Sequence, residues 1–219
     1  DTVALQWKQH FYRIFGEYLD VREYRRVSEI NSKVHSIFGR RFSNTEEWSA
    51  PRGKQRKIVV VTPFWNAEDD IARCIESVAA QDYDNYEMWL IDDKSTDDSL
   101  KSALAYLEKL PMELSKKFFI VKNNKRMGAV YNQVTTIREH GMNAIVVQLD
   151  GDDSLVNNPN VFHFINNLYD KGAEFTYGSC WSMVDRIPLI AQPYPEEIKR
   201  KRDYRKHKFP WNMPYTHLR

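Results

Sequence analysis

From Lys57 onward, apolar runs that suit buried strands alternate with segments whose apolar positions recur at helical spacing. Ile58 to Thr62 (IVVVT) predicts a strand stopped by Pro63, and Ala67 to Gln81 a helix with Ile71, Cys74, Ile75 and Val78 on one face. Glu87 to Ile91 predicts a second strand that runs into the acidic cluster Asp92 to Asp98. There Thr96 or Asp97 is placed to cap a helix reaching about Lys109. Phe118 to Val121 reads as a strand, Met127 to His140 as a helix, and Ala144 to Leu149 as a fourth strand. Pro159 to Lys171 follows as a helix opened by Asn157 or Asn158, and Glu174 to Tyr177 as a fifth strand. This alternation predicts an α/β fold, a Rossmann-like parallel sheet with helices on both faces.

The first 56 residues follow another pattern. Val3, Trp7, Phe11, Ile14, Phe15 and Tyr18, then Tyr24, Val27, Ile30, Val34 and Ile37, predict two amphipathic helices, and periodicity is lost from Arg40 to Lys57. The expected division is a helical N-terminal arm and connector over residues 1–56 and an α/β domain over 57–219. The arm packs either on its own domain or on a twin subunit, so a homo-oligomer through these helices is one expectation.

The richest stretch is AIVVQLDGDDS, Ala144 to Ser154. A buried parallel strand that ends in acids delivers carboxylates to the sheet edge where open α/β sheets bind ligands. In an extended segment Asp150 and Asp152 share a face, and Gly151 lets the backbone turn and approach closely. Two hard oxygen ligands on one side suit Mg²⁺ or Mn²⁺ completed by phosphate oxygens. Taken alone, a D-x-D is also what a solvated acidic turn looks like, so its neighbours decide.

Composition narrows the classes. High aromatic content (13%) with only 8 Gly and 9 Pro describes a globular chain rather than a disordered one. A net charge of +2 gives no whole-chain case for nucleic acid, although Lys199 to Lys208 is a basic run. Cys74 and Cys180 fall within expected elements without metal-ligand spacing. They read as buried free thiols of a reducing compartment, and the expected location is cytoplasmic. No apolar stretch is long enough for an integral membrane segment. The first residue is Asp, so the expectation is that the segment does not begin at a natural start.

Three strand ends carry polar signatures: Thr62-Pro63-Phe64-Trp65-Asn66, Asp92-Asp93-Lys94-Ser95-Thr96-Asp97 and Asp150-Gly151-Asp152-Asp153. With Ser77-Val78 and Gln81 between the first two, and Asn124, Gly128 and Asn132 before the third, they resemble the donor domain of family 2 glycosyltransferases, the inverting GT-A enzymes. The resemblance covers about residues 57–180 and leaves the arm unexplained. It implies transfer of a sugar from a UDP-sugar donor to a saccharide or other hydroxyl acceptor, with Mn²⁺ or Mg²⁺ held by Asp150 and Asp152. It also implies nucleotide contacts from Pro63, Phe64, Asn66, Asp93, Asn124, Gly128, Asp150 and Gly151, with Asp93 on the uracil ring. Asn66 and Asn132 have a second reading, as partners of loop backbone.

Sugar transfer asks for a base at the acceptor hydroxyl, and the sequence names none. Asp185, Glu196, Glu197 and Asp203 are available, none in a matching context. Phe209 to Arg219 looks like the lead-in to an acceptor half, with His217 a candidate third metal ligand and Arg219 a candidate diphosphate contact. The expectation is a segment that binds donor and transfers sugar poorly. The rival is a non-catalytic nucleotide-sugar-binding or scaffolding module of a larger protein. A receiver-type signalling domain is disfavoured because its acidic pair belongs after the first strand, where Thr62-Pro63-Phe64 stands. A nucleotidyltransferase is disfavoured because no Gly-rich loop lies between Pro63 and Ile71.

Overall fold

The computed structural model describes residues 52–176, 178, 180–182, 187–189 and 196–202. These fall in two compact units, residues 52–176 in one and the remainder in the other. The helices expected before residue 39, and Asp185, Asp203, His217 and Arg219, lie outside the described residues.

In the larger unit four strands form one parallel sheet of order β3-β2-β1-β4. They are β1 (Ile58–Phe64), β2 (Tyr86–Asp92), β3 (Phe118–Lys122) and β4 (Ile145–Gln148). Helices α1 (Ile71–Ala79), α2 (Ser99–Leu107), α3 (Met112–Ser115), α4 (Ala129–Thr136) and α5 (Val161–Asp170) connect or follow them. Period-two alternation along β1 explains why helices cover both faces. Ile58 and Val60 join Met88, Leu90, Phe162 and the α1 stripe Ile71, Cys74, Ile75 and Val78 in the main core. Val59 and Val61 face the other way, into a smaller cluster with Ile91, Ile137 and Val146. The expected α/β sheet is therefore the one observed.

Three local expectations change. β1 does not stop at Pro63 but continues through Phe64, paired in register with Ile91 and Asp92. In a parallel ladder the N–H and C=O of one residue face the same neighbour. The Pro63 carbonyl faces the Gly151 N–H at 3.2 Å, past the end of β4, so the missing proline N–H breaks no rung. The helix expected over 127–140 begins at Ala129 and passes after Thr136 into a π-helical turn, Ile137–Gly141.

Glu174 to Thr176 form no strand; Tyr177 lies outside the described residues. Gly172, at φ +90°, instead closes α5. Its N–H bonds the Tyr169 carbonyl at 3.0 Å and the Ala173 N–H bonds that of Leu168 at 3.0 Å. This is a left-handed glycine cap, and the apolar pattern after it carries no information about that stop.

In the smaller unit β5 (Cys180–Ser182) pairs antiparallel with β6 (Ile187–Leu189). Helix α6 (Glu196–Lys201) has acids in its first turn and bases in its last, the order the helix dipole favours. Glu196 pairs with Lys199 at 2.7 Å and Glu197 with Lys201 at 2.6 Å.

Candidate functional site

Parallel pairing brings the C-terminal ends of β1, β2 and β4 to one edge. Between them lies a cleft of about 230 Å³ lined by Pro63, Phe64, Trp65, Asn66, Ala67, Asp93, Arg126, Ala129, Asp150, Gly151 and Asp152. Of the residues singled out from sequence, Pro63, Phe64, Asn66, Asp93, Asp150, Gly151 and Asp152 meet here. Asn124 and Gly128 are not part of the lining.

The D-x-D is a turn rather than the extended segment expected, closed by the Asp153 N–H on the Asp150 carbonyl at 3.0 Å. That turn brings in a third carboxylate the extended reading missed: oxygens of Asp150, Asp152 and Asp153 lie within 4.8 Å of one another. Three hard oxygen donors at this spacing fit a divalent ion such as Mg²⁺ or Mn²⁺. Gly151 is needed for close approach, because a Cβ there would collide with the Cβ of Phe64 and press on Ile71. Beneath the turn the Cys74 thiol donates to the Asp150 carbonyl at 3.5 Å. Burial, with the charges of Asp153, Asp152 and Asp150, holds that thiol well above its ordinary range, so it stays a donor.

Asp93 is buried at the tip of β2 and its carboxylate is heavily used. The Met127 N–H donates to Oδ1 at 2.7 Å, Asn123 Nδ2 to Oδ1 at 2.9 Å, and the Gly128 N–H to Oδ2 at 2.9 Å. Burial opposes ionisation here. It is outweighed by the Met127 N–H, the amides of Asn132 and Asn123, and the Gly128 N–H, which together bring the pKa down to about 2. Asn132 Nδ2 acts through its dipole, without a hydrogen bond of normal geometry, while its Oδ1 accepts from Asn123 at 2.8 Å. Gly128, at φ +85°, lets the loop before α4 fold over the carboxylate.

Asn66 takes its second reading. Its Oδ1 accepts the Thr96 N–H at 2.9 Å and its own N–H donates to Ser95 Oγ at 3.1 Å, tying the loop after β1 to the loop after β2. Asn66 and Lys94 both sit at positive φ, 51° and 61°, where these loops turn sharply beside the cleft.

Besides Asp153, sequence reasoning missed three residues. Asn123, one position before Asn124, makes the contact to Asp93. Trp65 and Arg126 face each other at the cleft mouth, with the guanidinium carbon 3.5 Å from the indole centroid, a cation–π pair. Trp65 was visible as the aromatic of its own motif; a lone arginine in a polar loop carries no such mark.

A search of known families decides the identity of this arrangement: the family model "Glycosyl transferase family 2" matches residues 59–218. The chain belongs to glycosyl transferase family 2. Two glycosyltransferases are related to it in sequence. The chain is 34% identical over 97 residues to the putative glycosyltransferase EpsE of Bacillus subtilis, covering 44% of this chain and 33% of that protein. It is 40% identical over 55 residues to the uncharacterized glycosyltransferase YibD of Escherichia coli, covering 25% of this chain and 16% of that protein. The chain thus spans a third or less of these relatives. A solved structure, the mannosyltransferase PcManGT of Pyrobaculum calidifontis with GDP-Man and Mn²⁺, is 18% identical. It superposes with a TM-score of 0.49 over 68% of this chain and 45% of that one. No helix among the described residues is long and apolar enough to cross a membrane.

Proposed function

We propose that the cleft is the donor site of a metal-dependent glycosyltransferase that takes a UDP-sugar and passes the sugar, with inversion, to a saccharide or other hydroxyl acceptor. The observation carrying this reading is the placement of Asp93 and the Asp150-Gly151-Asp152 turn across one cleft, each at the end of its own parallel strand. A carboxylate offers roughly four acceptor positions, and the chain's own N–H groups take three of those on Asp93. One is left for a base N–H, which uracil supplies and the N3 of cytosine does not. Arg126 lies over one face of Trp65 and 3.8 Å from Asp93 Oδ2, and its fork of five donors also suits a negatively charged ligand.

Asp150 and Asp152, with Asp153, would hold Mn²⁺ or Mg²⁺. When bound, such an ion stabilises the charge that gathers on the leaving diphosphate. The acceptor base is not assigned to the cleft, because Asp93 is occupied and the remaining acids are committed to the metal. Glu196 and Glu197 sit in exposed ion pairs of the smaller unit.

Calorimetry with UDP in Mn²⁺, and again in chelator, tests the reading. Binding in the first and markedly weaker binding in the second is expected, since chelation removes the cation that would offset the repulsion between the carboxylates and the diphosphate. Equal affinity in both would remove the metal from the account. Product assays with a panel of UDP-sugars then separate an enzyme from a donor-binding module.

A further inference from the structure

The pair Ser77 and Gln81 has no part in the cleft, yet the geometry points to a positioning role for both in the metal turn, and this rests on the donor-site reading above. Residues 73, 74, 77 and 81 repeat at helical spacing along one side of α1 and its C-terminal extension. That side runs beneath the connection from Asp150 to Phe162, where, apart from the Gly151 N–H on Pro63, no backbone group among the described residues joins a sheet ladder. At the near end Cys74 Sγ meets the Asp150 carbonyl at 3.5 Å and Arg73 meets that of Asp152 at 3.5 Å. In the middle Ser77 Oγ accepts the Leu155 N–H at 3.0 Å while donating to the Cys74 carbonyl at 2.7 Å.

At the far end the Gln81 amide spans the connection. Its Nε2 donates to the Asn158 carbonyl and to the Ser77 carbonyl, both at 3.0 Å, and its Oε1 accepts the Phe162 N–H at 3.4 Å. The Asp82 N–H completes the series on the Pro159 carbonyl at 2.9 Å. Five backbone groups of the connection are thus gripped by side chains along one side of the helix and its extension, a sixth by the Asp82 N–H just beyond, and the three carboxylates sit at the end of the gripped length. Ser77 and Gln81 touch neither donor nor metal. They act by fixing the segment that follows the turn, which keeps the carboxylates converged when no ion holds them. The same series accounts for the Ser-Val-x-x-Gln spacing: a hydroxyl and an amide four apart on one face meet the N–H of Leu155 and the carbonyl of Asn158.

The test compares the 219-residue chain with Ser77→Ala, Ser77→Thr and Gln81→Met. It reads Leu155 amide exchange without ligand, Mn²⁺ affinity with UDP present by the resonance signal of free Mn²⁺, and UDP affinity in chelator. Ser77→Ala should expose the Leu155 amide to faster exchange and weaken Mn²⁺ about tenfold, the low end of what loss of support behind a ligand costs. UDP affinity in chelator should stay within about twofold, since the base and ribose side of the cleft keeps its contacts. Ser77→Thr, which keeps the hydroxyl, should restore both properties, and Gln81→Met should repeat the Mn²⁺ loss from the far end.

Faster Leu155 exchange with unchanged Mn²⁺ affinity in both variants would make the grip purely structural and overturn the proposal. A wild-type chain that binds UDP but no Mn²⁺ would instead remove the donor-site metal, and the positioning role with it. If Ser77→Ala does not fold, Gln81→Met and Ser77→Thr carry the same comparison.

Discussion

The Asp93 carboxylate accepts the backbone N–H of Met127 at 2.7 Å, which fastens the loop before α4 to the tip of β2. The bond carries a consequence for stability against acid. With a folded pKa of about 2 against an ordinary 3.8, Asp93 contributes stability that is complete above about pH 4 and is lost as pH falls through the folded value. The contribution is on the order of 2 kcal/mol. Asp93→Asn should therefore be less stable than wild type at pH 6, and the gap should narrow toward pH 2. Thermal unfolding across that range checks it; a constant gap would place the effect in packing.

Base choice offers a second readout of the same residue. UDP should outcompete CDP for the cleft, and Asp93→Ala should erase the preference, because at ring position 3 uracil presents an N–H to the remaining acceptor position whereas cytosine presents a lone pair. Competition favouring CDP or GDP in the wild-type chain would assign this carboxylate wholly to the loop.

Asp152→Ala should abolish most of the metal dependence of nucleotide binding while leaving the fold intact, since the side chain is exposed and its loss empties no core. Calorimetry with and without Mn²⁺ should give curves that nearly coincide. A full metal response in this variant would shift the site onto other ligands.

Gly151→Ala tests close approach rather than ligation. The new methyl has no room against Phe64, so the turn must move away from β1. A loss of about 1 to 3 kcal/mol in unfolding free energy is expected, together with weaker Mn²⁺ binding. Wild-type stability would show that the turn shifts at no cost.

His163 gives a prediction of opposite sign. It is 2% exposed on α5, and neither ring nitrogen has a hydrogen-bond partner among the described residues. Tyr83 packs edge-on at 5.1 Å. His163→Leu should raise stability by about 1 kcal/mol in urea unfolding, because an unsatisfied buried polar group is replaced by an apolar one. A loss would reveal a buried water on the imidazole.

The sheet and the three strand-end signatures were legible because each rests on a short-range regularity. Period two marks the strands, helical spacing marks Ile71, Cys74, Ile75 and Val78, and acids mark the ends of β2 and β4. What failed lacked such a regularity. A polar loop has no period, so nothing separated Asn123 from Asn124, although only Asn123 reaches Asp93. Asp153 escaped because an extended segment points it away from Asp150, whereas the turn brings it back. The task of Gln81 was illegible for another reason: its partner Asn158 lies 77 positions along the chain, and side chain to backbone contacts leave no trace in composition. The end of α5 was legible to within one residue, Lys171 against Asp170, but the run after its glycine cap, whose pattern reads as a strand, forms none over Glu174 to Thr176.

The strand order has a consequence for synthesis of the protein. β1 emerges first among the described strands and ends up between β2 and β4, yet β4 is made last of the four. Until β4 arrives, the nascent chain carries β1, an uncharged Ile-Val-Val-Val-Thr-Pro-Phe run, with one edge unpaired. Such an edge is a template for intermolecular pairing, and long-range parallel strands form slowly enough to prolong the exposure. The segment that closes the edge is followed directly by the Asp150-Gly151-Asp152 turn. Completion of the cleft and pairing of this exposed edge are therefore reached in the same late step, so a nucleotide that binds there should raise the yield of soluble protein on refolding.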